Sequence, residues 1–444
     1  MNGAVMDELP VVVVGAGPVG LAAAAHLAER GLRPLVLEAG AQAGAAVRRW
    51  HHVRLFSAWT ELVDPAAARL LAPTGWQRPA DGYPTGAQWA QEYLEPLADA
   101  LGDRVRFGAR VVGVARRGRD RLVDSGRDTE PLTVHVRHDD GTEERVTARA
   151  LVDASGTWGG PNPLGGDGLP AVGERGQARV SYRVPDLQDP QVAARYAGGR
   201  VAVAGSGHSA LTALVALTAL PDTEVVWLLR RGVVGNAFGG GDADQLPARG
   251  ALGLRAEQAV RAGRVQVVTG FRTAAVESAV DGRLALVSSA GHRVEPVDEV
   301  LALTGFRPDL AWLSELRLDL DPVLQAPTAL APLIDPNAHS CGSVPPHGAT
   351  ELAHPEPGVF LAGMKSYGRA PTFLALTGYE QVRSIAAELA GDHESASRVE
   401  LVLPETGVCG GAGVFDAQDD DTTGCCAPTG PQVLSLSAPA PQGP

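Results

Sequence analysis

Residues Val11 to Gly40 read VVVVGAGPVGLAAAAHLAERGLRPLVLEAG, and no other stretch of the chain narrows the possible folds so far. Four β-branched residues, Val11 to Val14, predict a short strand buried on both faces. Gly15, Gly17 and Gly20 follow as G-x-G-x-x-G, with Pro18 among them. In that spacing the first glycine makes the tight turn and the second lets a pyrophosphate approach the backbone. The third lets the next helix pack close to the strand. An alanine-rich run, Val19 to Arg30, predicts that helix, and Gly31 ends it. Pro34 to Leu37 predicts a second strand that delivers Glu38, 23 residues beyond Gly15. An acid at that place meets the ribose hydroxyls of an adenosine. Strand, turn, helix, strand and acid arrive in order, so this segment is expected to hold a dinucleotide.

A similar unit starts near Arg200 with RVAVAGSGHSALTALVALTALPDTEVVWLLRR. Val201 to Ala204 predicts the strand, and Gly205, Gly207 and Ala210 take the three close-approach positions. Ser209 can add a hydroxyl to a phosphate cradle at the helix N-terminus, and His208 is a candidate phosphate or nicotinamide contact. The second strand, Glu224 to Leu229, ends in Arg230 and Arg231 where the first unit has an acid. Guanidinium pairs with a 2′-phosphate that a carboxylate would repel, so NADPH is the expected ligand.

Composition excludes several classes. With 38 basic and 51 acidic side chains the net charge is −13, which disfavours a nucleic-acid partner. The 45% hydrophobic and 20% charged content of the 444 residues suits a globular protein of two or three domains. Glycines and Pro18 interrupt the apolar run from Pro10, so no membrane span is expected. Asp7 and Glu8 stand where a secretory leader would be positive, and four cysteines make no disulfide framework. A cytoplasmic protein is the expectation, with a homodimer compatible but not required.

Two dinucleotide units in one chain, one closing on an acid and the other on arginines, resemble the flavoproteins with two dinucleotide-binding domains. Thioredoxin reductases and class B flavin monooxygenases are among these. The resemblance implies an α/β fold in which an NADPH-binding Rossmann-like domain is inserted into an FAD-binding Rossmann-like domain. The segments ALVDASGTWGGPNP, from Ala150, and EVLALTGFRPD, from Glu299, resemble the family's hinges, with Gly156 and Gly305 within them. GVFLAGMKSYG resembles the last FAD strand, with Gly363 approaching the flavin and Met364 where many relatives carry an aspartate. TGYEQVRSIAAELAG, from Thr377, reads as the closing helix. The implied boundaries are 1–165 and 299–404 for the FAD domain, 166–298 for the NADPH domain and 405–444 for a flexible tail.

No C-x-x-C pair is present, and neither is the F-x-G-x-x-x-H fingerprint of the monooxygenases. The loop G-S-G-H-S-A does match the monooxygenase form. Together with VRLFSAWTELVDP, DASGTWGGPNPLG, LIDPNAHSCGSVPPHG and GMKSYGRAPTF, it makes the chain most similar to flavin monooxygenase-like proteins of bacterial arsenic-resistance operons. That resemblance implies oxygenation of a soft heteroatom, with trivalent arsenicals the first small-molecule substrate to test. The loop Arg48 to Trp59 supplies candidate pocket residues Trp50, His51, His52, Arg54 and Trp59. Lys365, the chain's one lysine, and Arg369 are candidates to offset charge on a reduced flavin.

Cysteines and histidines leave further readings open. His339, Cys341, His347 and His354 are too irregularly spaced for a zinc site, though Cys341 could stand near substrate. Three of the four cysteines, Cys409, Cys425 and Cys426, fall in the last 36 residues. Thiols on such a tail suit a metalloid or a disulfide exchange. Two alternatives to a monooxygenase follow: an NADPH-dependent flavin reductase serving those cysteines, and a redox-gated metalloid-binding protein.

Overall fold

A computed structural model describes residues 6–337, 344, 346–371 and 373–401. The chain builds two five-stranded parallel sheets, each accompanied by a three-stranded antiparallel one. The first sheet begins with β1 (Val11–Val14), the helix Pro18–Glu29, β2 (Pro34–Leu37) and β3 (Val105–Arg106). An antiparallel meander follows, made of β4 (Ala109–Arg116), β5 (Leu132–His138) and β6 (Glu143–Ala148). β7 (Ala150–Asp153) then returns beside β1, with Val14 opposite Asp153.

After β7 the chain leaves. It forms β8 (Val180–Ser181), β9 (Arg200–Ala204), the helix His208–Leu217 and β10 (Glu224–Leu228). The helix Pro247–Arg261 and β11 (Val265–Val268) come next. A second meander, β12 (Thr273–Ser278), β13 (Leu284–Ser288) and β14 (Arg293–Val297), precedes β15 (Glu299–Ala302). Last, β16 (Val359–Leu361) rejoins the first sheet beside β7, followed by the helix Ala375–Leu389. The sheet orders are β16-β7-β1-β2-β3 and β11-β10-β9-β15-β8. β15 pairs with β9, Glu299 opposite Val201, so by hydrogen bonding it completes the second sheet. A boundary at residue 299 therefore cuts one strand too early, because β15 needs the buried ladder that β9 offers.

Alternation of side chains explains the layers. Val11 and Val13 join a core with Leu21, Ala24 and Tyr93 on the helical side. Val12 and Val14 face the other way, into Val134, Val136 and Leu313. Val201 and Val203 pack on Leu211 and Leu214, while Ala202 and Ala204 meet the second meander at Leu284 and Leu286. Each fully buried valine contributes about 1.5–3 kcal/mol relative to exposure, which is why four-residue strands hold.

Buried polar groups fix the layers relative to one another. His26 on the first helix has its Nε2 2.9 Å from Asp64 Oδ2, while Asp64 Oδ1 accepts from Ala67 N–H and caps the helix Pro65–Leu71. Glu356, 1% exposed, bridges Arg116 at 2.8 Å and Arg127 at 2.5 Å, clamping the first meander to the approach of β16. No helix among the described residues is long and apolar enough to cross a membrane.

Candidate functional site

The first glycine loop opens at the carboxyl end of β1, beside the end of β7. Gly15 has φ +101°, and a Cβ there would lie 2.8 Å from the Ala154 carbonyl oxygen. A Cβ on Gly20 would lie 1.9 Å from Gly15 O, so the helix can approach the turn only without a side chain. Gly17 differs: its missing Cβ would meet no protein atom within 4 Å. Space is open on that side of the backbone, beside the N-terminus that Pro18 starts. Glu38 closes the loop, its Oε2 accepting from Ala16 N–H at 2.7 Å and its Oε1 from Gly40 N–H at 2.6 Å. An open cradle at a helix N-terminus with a held carboxylate at its far end fits the pyrophosphate and ribose of FAD.

Two further turns border this loop. Gly156, at φ +69°, also has open space where a Cβ would be. Gly363, at φ +68°, packs on Val19. Gln381, on the helix Ala375–Leu389, receives the Gly363 N–H on Oε1 at 2.8 Å. Its amide also joins Ser366 Oγ and His347 Nε2, each at 2.9 Å, so one buried side chain pins the turn that carries half-buried Met364. Sequence reasoning missed Gln381, whose partners are remote in the chain.

The second loop repeats the geometry with different chemistry. A Cβ on Gly205, φ +125°, would lie 2.2 Å from Leu303 O, whereas one on Gly207 would meet nothing within 4 Å. Ala210 is buried and Ser209 exposed on the helix that starts at His208. The buried indole of Trp227 donates to Gly205 O at 2.7 Å, an anchor not anticipated from the sequence. The two strand-end arginines part company. Arg231 is buried and donates from Nη2 to Ser206 Oγ at 3.3 Å, and burial lowers its pKa. Arg230 is exposed, with Nη1 3.4 Å from Gly166 O. His208 stands edge-on to Phe56, ring centroids 5.1 Å apart, and burial pushes its imidazole down to about 4, so it is neutral at pH 7. This cradle, with arginine at its rim, fits a phosphorylated pyridine nucleotide.

Paired crossovers join the two units. Asn162 N–H donates to Gly305 O and Asn162 Nδ2 to Thr304 O, both at 2.9 Å, while Thr304 Oγ1 donates back to Asn162 O. Arg307 N–H reaches Gly160 O at 2.7 Å, and Trp158 stacks on Phe306 with centroids 5.2 Å apart. The segments around Gly156 and Gly305 thus run side by side.

The loop Arg48–Trp59 distributes its candidates. Trp59 is 4% exposed and belongs to the helical-side core, and Trp50 packs there against Trp89 and Gly86. Both indoles are wall material, because their apolar area is worth more buried than facing water. Arg54 is exposed and its guanidinium holds Tyr83 O. His51 and His52 instead reach toward Asp186, and Phe56 touches His208, so this loop lies along the seam between the units.

Lys365 is 1% exposed, with Nζ 2.6 Å from Asp153 Oδ2, 3.1 Å from Ser155 Oγ and 4.6 Å from the Trp312 ring centroid. Its charge is balanced inside the protein by Asp153, which leaves little to offset a charge elsewhere. Arg369 is exposed, its Nε donating to Gln325 Oε1 at 2.9 Å. His339, Cys341, Cys409, Cys425 and Cys426 lie outside the described residues.

The sequence model for pyridine nucleotide-disulphide oxidoreductases matches residues 12–328, which span both glycine loops. The chain belongs to that family. It is an oxidoreductase that uses FAD and a nicotinamide nucleotide. A ferredoxin–NADP reductase of Ignicoccus hospitalis is 26% identical over 317 residues, 70% of this chain and 81% of that one. The indole-3-pyruvate monooxygenase YUCCA1 of Oryza sativa subsp. japonica is 32% identical over 201 residues, 45% of this chain and 43% of that protein. Among solved structures, the bacillithiol disulfide reductase Bdr (YpdA) from Bacillus cereus superposes with a TM-score of 0.64 at 22% identity, covering 86% of this chain and 99% of that one. The names of these three proteins specify three different reactions.

Proposed function

We propose that this oxidoreductase takes hydride from NADPH and spends it, through FAD, on oxygenating a soft heteroatom in a small molecule, with trivalent arsenicals the first class to test. The observation that carries the reading is the pair of open glycine cradles, at Gly17 and Gly207, one closed by Glu38 and the other rimmed by Arg230. The likeness to a monooxygenase supports the choice of acceptor, as do four cysteines that form no C-x-x-C pair. FAD bound in the first cradle would supply the chemistry of hydride acceptance and of electron delivery to oxygen.

The chain's own residues position and shield. Glu38 holds the first loop open and would meet the adenosine ribose. Ser209 and the helix N-terminus at His208 would receive the nucleotide phosphates, with Arg230 favouring the 2′-phosphate. Gln381 fixes the Gly363 turn and keeps Met364 in place at the edge of the first cradle. Neutral His208, covered by Phe56, adds no charge and helps keep water from the seam.

Coupling tests the reading. NADPH oxidation by the flavin-loaded protein should quicken with methylarsenite or arsenite, consuming one oxygen per NADPH and releasing little hydrogen peroxide. NADPH oxidation that ignores arsenicals and returns all oxygen as peroxide overturns the substrate assignment. The clustered cysteines favour one second reading, an NADPH-dependent reductase acting on a disulfide or metalloid through the tail. Cys425→Ser with Cys426→Ser should abolish that activity and leave oxygenation of a free substrate intact.

A further inference from the structure

We propose that His51, His52 and Asp186 form a site for one borderline divalent transition-metal ion of the zinc class, bridging the Arg48–Trp59 loop to the chain entering the second unit. One ligand atom from each residue lies within 4.8 Å of the others, and His51 Nε2 is 3.6 Å from Asp186 Oδ2. The carboxylate is already oriented, because Asp186 Oδ1 accepts from Gln188 N–H at 3.1 Å and leaves Oδ2 toward the histidines.

His52 supplies the independent observation. Both of its ring nitrogens are buried, and neither has a hydrogen-bond partner among the described residues. The backbone of Val184 and Pro185 lies beside the ring, on the same segment as Asp186. An imidazole left unsatisfied in this way costs stability unless something accepts its lone pair. The two rings meet at 76° with centroids 5.2 Å apart, so their nitrogens can converge without stacking.

The donor set selects the ion. Two imidazoles and one carboxylate suit zinc, cobalt, nickel or copper(II), and disfavour magnesium and calcium, which take oxygen. Ligands at about 2.0–2.2 Å from a tetrahedral ion stand about 3.4 Å apart, so a pair at the 4.8 Å limit must close by about 1.4 Å. His51, whose side chain is 54% exposed, can make that movement, and its open side gives the ion access and leaves a place for water.

Zinc(II) itself is the probe, set against a chromophoric chelator with the flavin-loaded full-length chain. Cys341, Cys409, Cys425 and Cys426 are all changed to serine so that thiols do not compete. One zinc per chain at micromolar Kd or tighter is expected, and His52→Ala, His51→Ala and Asp186→Asn should each weaken it at least tenfold. Cobalt(II) loading should add visible ligand-field bands that Asp186→Asn removes. No binding in the micromolar range, or an affinity in His51→Ala and Asp186→Asn unchanged from the parent protein, overturns the site. Those two side chains reach solvent, so their variants keep the test valid if His52→Ala fails to fold.

Discussion

The two glycine loops occupy equivalent places in equivalent sheets, yet they are held by opposite means. The first is fastened by an acceptor: Glu38 takes two backbone N–H groups, from Ala16 and Gly40. The second is fastened by donors, the Trp227 indole on Gly205 O and the Arg231 guanidinium on Ser206 Oγ. Both leave their middle glycine facing open space. The shared frame fits a dinucleotide in each unit, and the proposed choice between them rests on the strand ends, since a carboxylate suits ribose hydroxyls and guanidinium suits phosphate.

The strongest way to break this comparison is to fill each cradle. Gly17 and Gly207 have negative φ and no neighbour within 4 Å of a Cβ, so valine there leaves the protein itself undisturbed. Gly17→Val should yield protein without flavin absorbance. Gly207→Val should keep its flavin and lose at least a hundredfold in the rate of flavin reduction by NADPH. Identical behaviour of the two variants would erase the distinction between the loops.

Next in size is the buried Lys365–Asp153 pair behind the first loop. Lys365→Met leaves Asp153 charged and buried, at a cost of about 3–5 kcal/mol. Thermal melting should show the loss, and adding Asp153→Asn should recover part of it. A smaller effect distinguishes the strand-end arginines. Arg230→Ala should raise the KM for NADPH about tenfold and leave that for NADH unchanged, as expected for one charge-assisted phosphate contact. Trp227→Phe removes a single hydrogen bond worth about 1 kcal/mol, and should raise KM for both nucleotides a few-fold.

The smallest effect concerns pH. His208, with its pKa pushed down to about 4 by burial, takes up its proton less readily folded than unfolded. Its contribution is fully present above an unfolded value of about 6.5 and is lost as pH falls toward 4. His354 is displaced the same way, so the comparison must be with His208→Gln, whose melting temperature should fall less between pH 7 and pH 5. Parallel curves would show that His208 is not coupled to the fold at the second loop.

Much of this frame was readable beforehand. The strand Pro34–Leu37 matches its expected limits, and the helix after the first loop begins one residue before its expected start. What was not readable is where charged and aromatic side chains of the loops end up. Trp50 and Trp59 were candidates for a pocket and became core, and Lys365 was a candidate for charge compensation and found Asp153 instead. The pairing of His51 and His52 with Asp186 had no signal at all, because neither the spacing nor the composition of either segment refers to the other.

By itself, then, the order of residues determined two strand–glycine–helix units, the acid that ends one and the arginines that end the other. These depend on contacts made within a turn or a single strand–helix pair, where backbone sterics dominate and glycine spacing records them directly. Tertiary structure alone decided that Arg231 turns inward while Arg230 stays out, that Lys365 meets Ser155 across 210 residues, and that Phe56 covers His208. Such contacts follow from which faces the packed sheets leave to be filled, and burial, unlike periodicity, is a property of the whole chain.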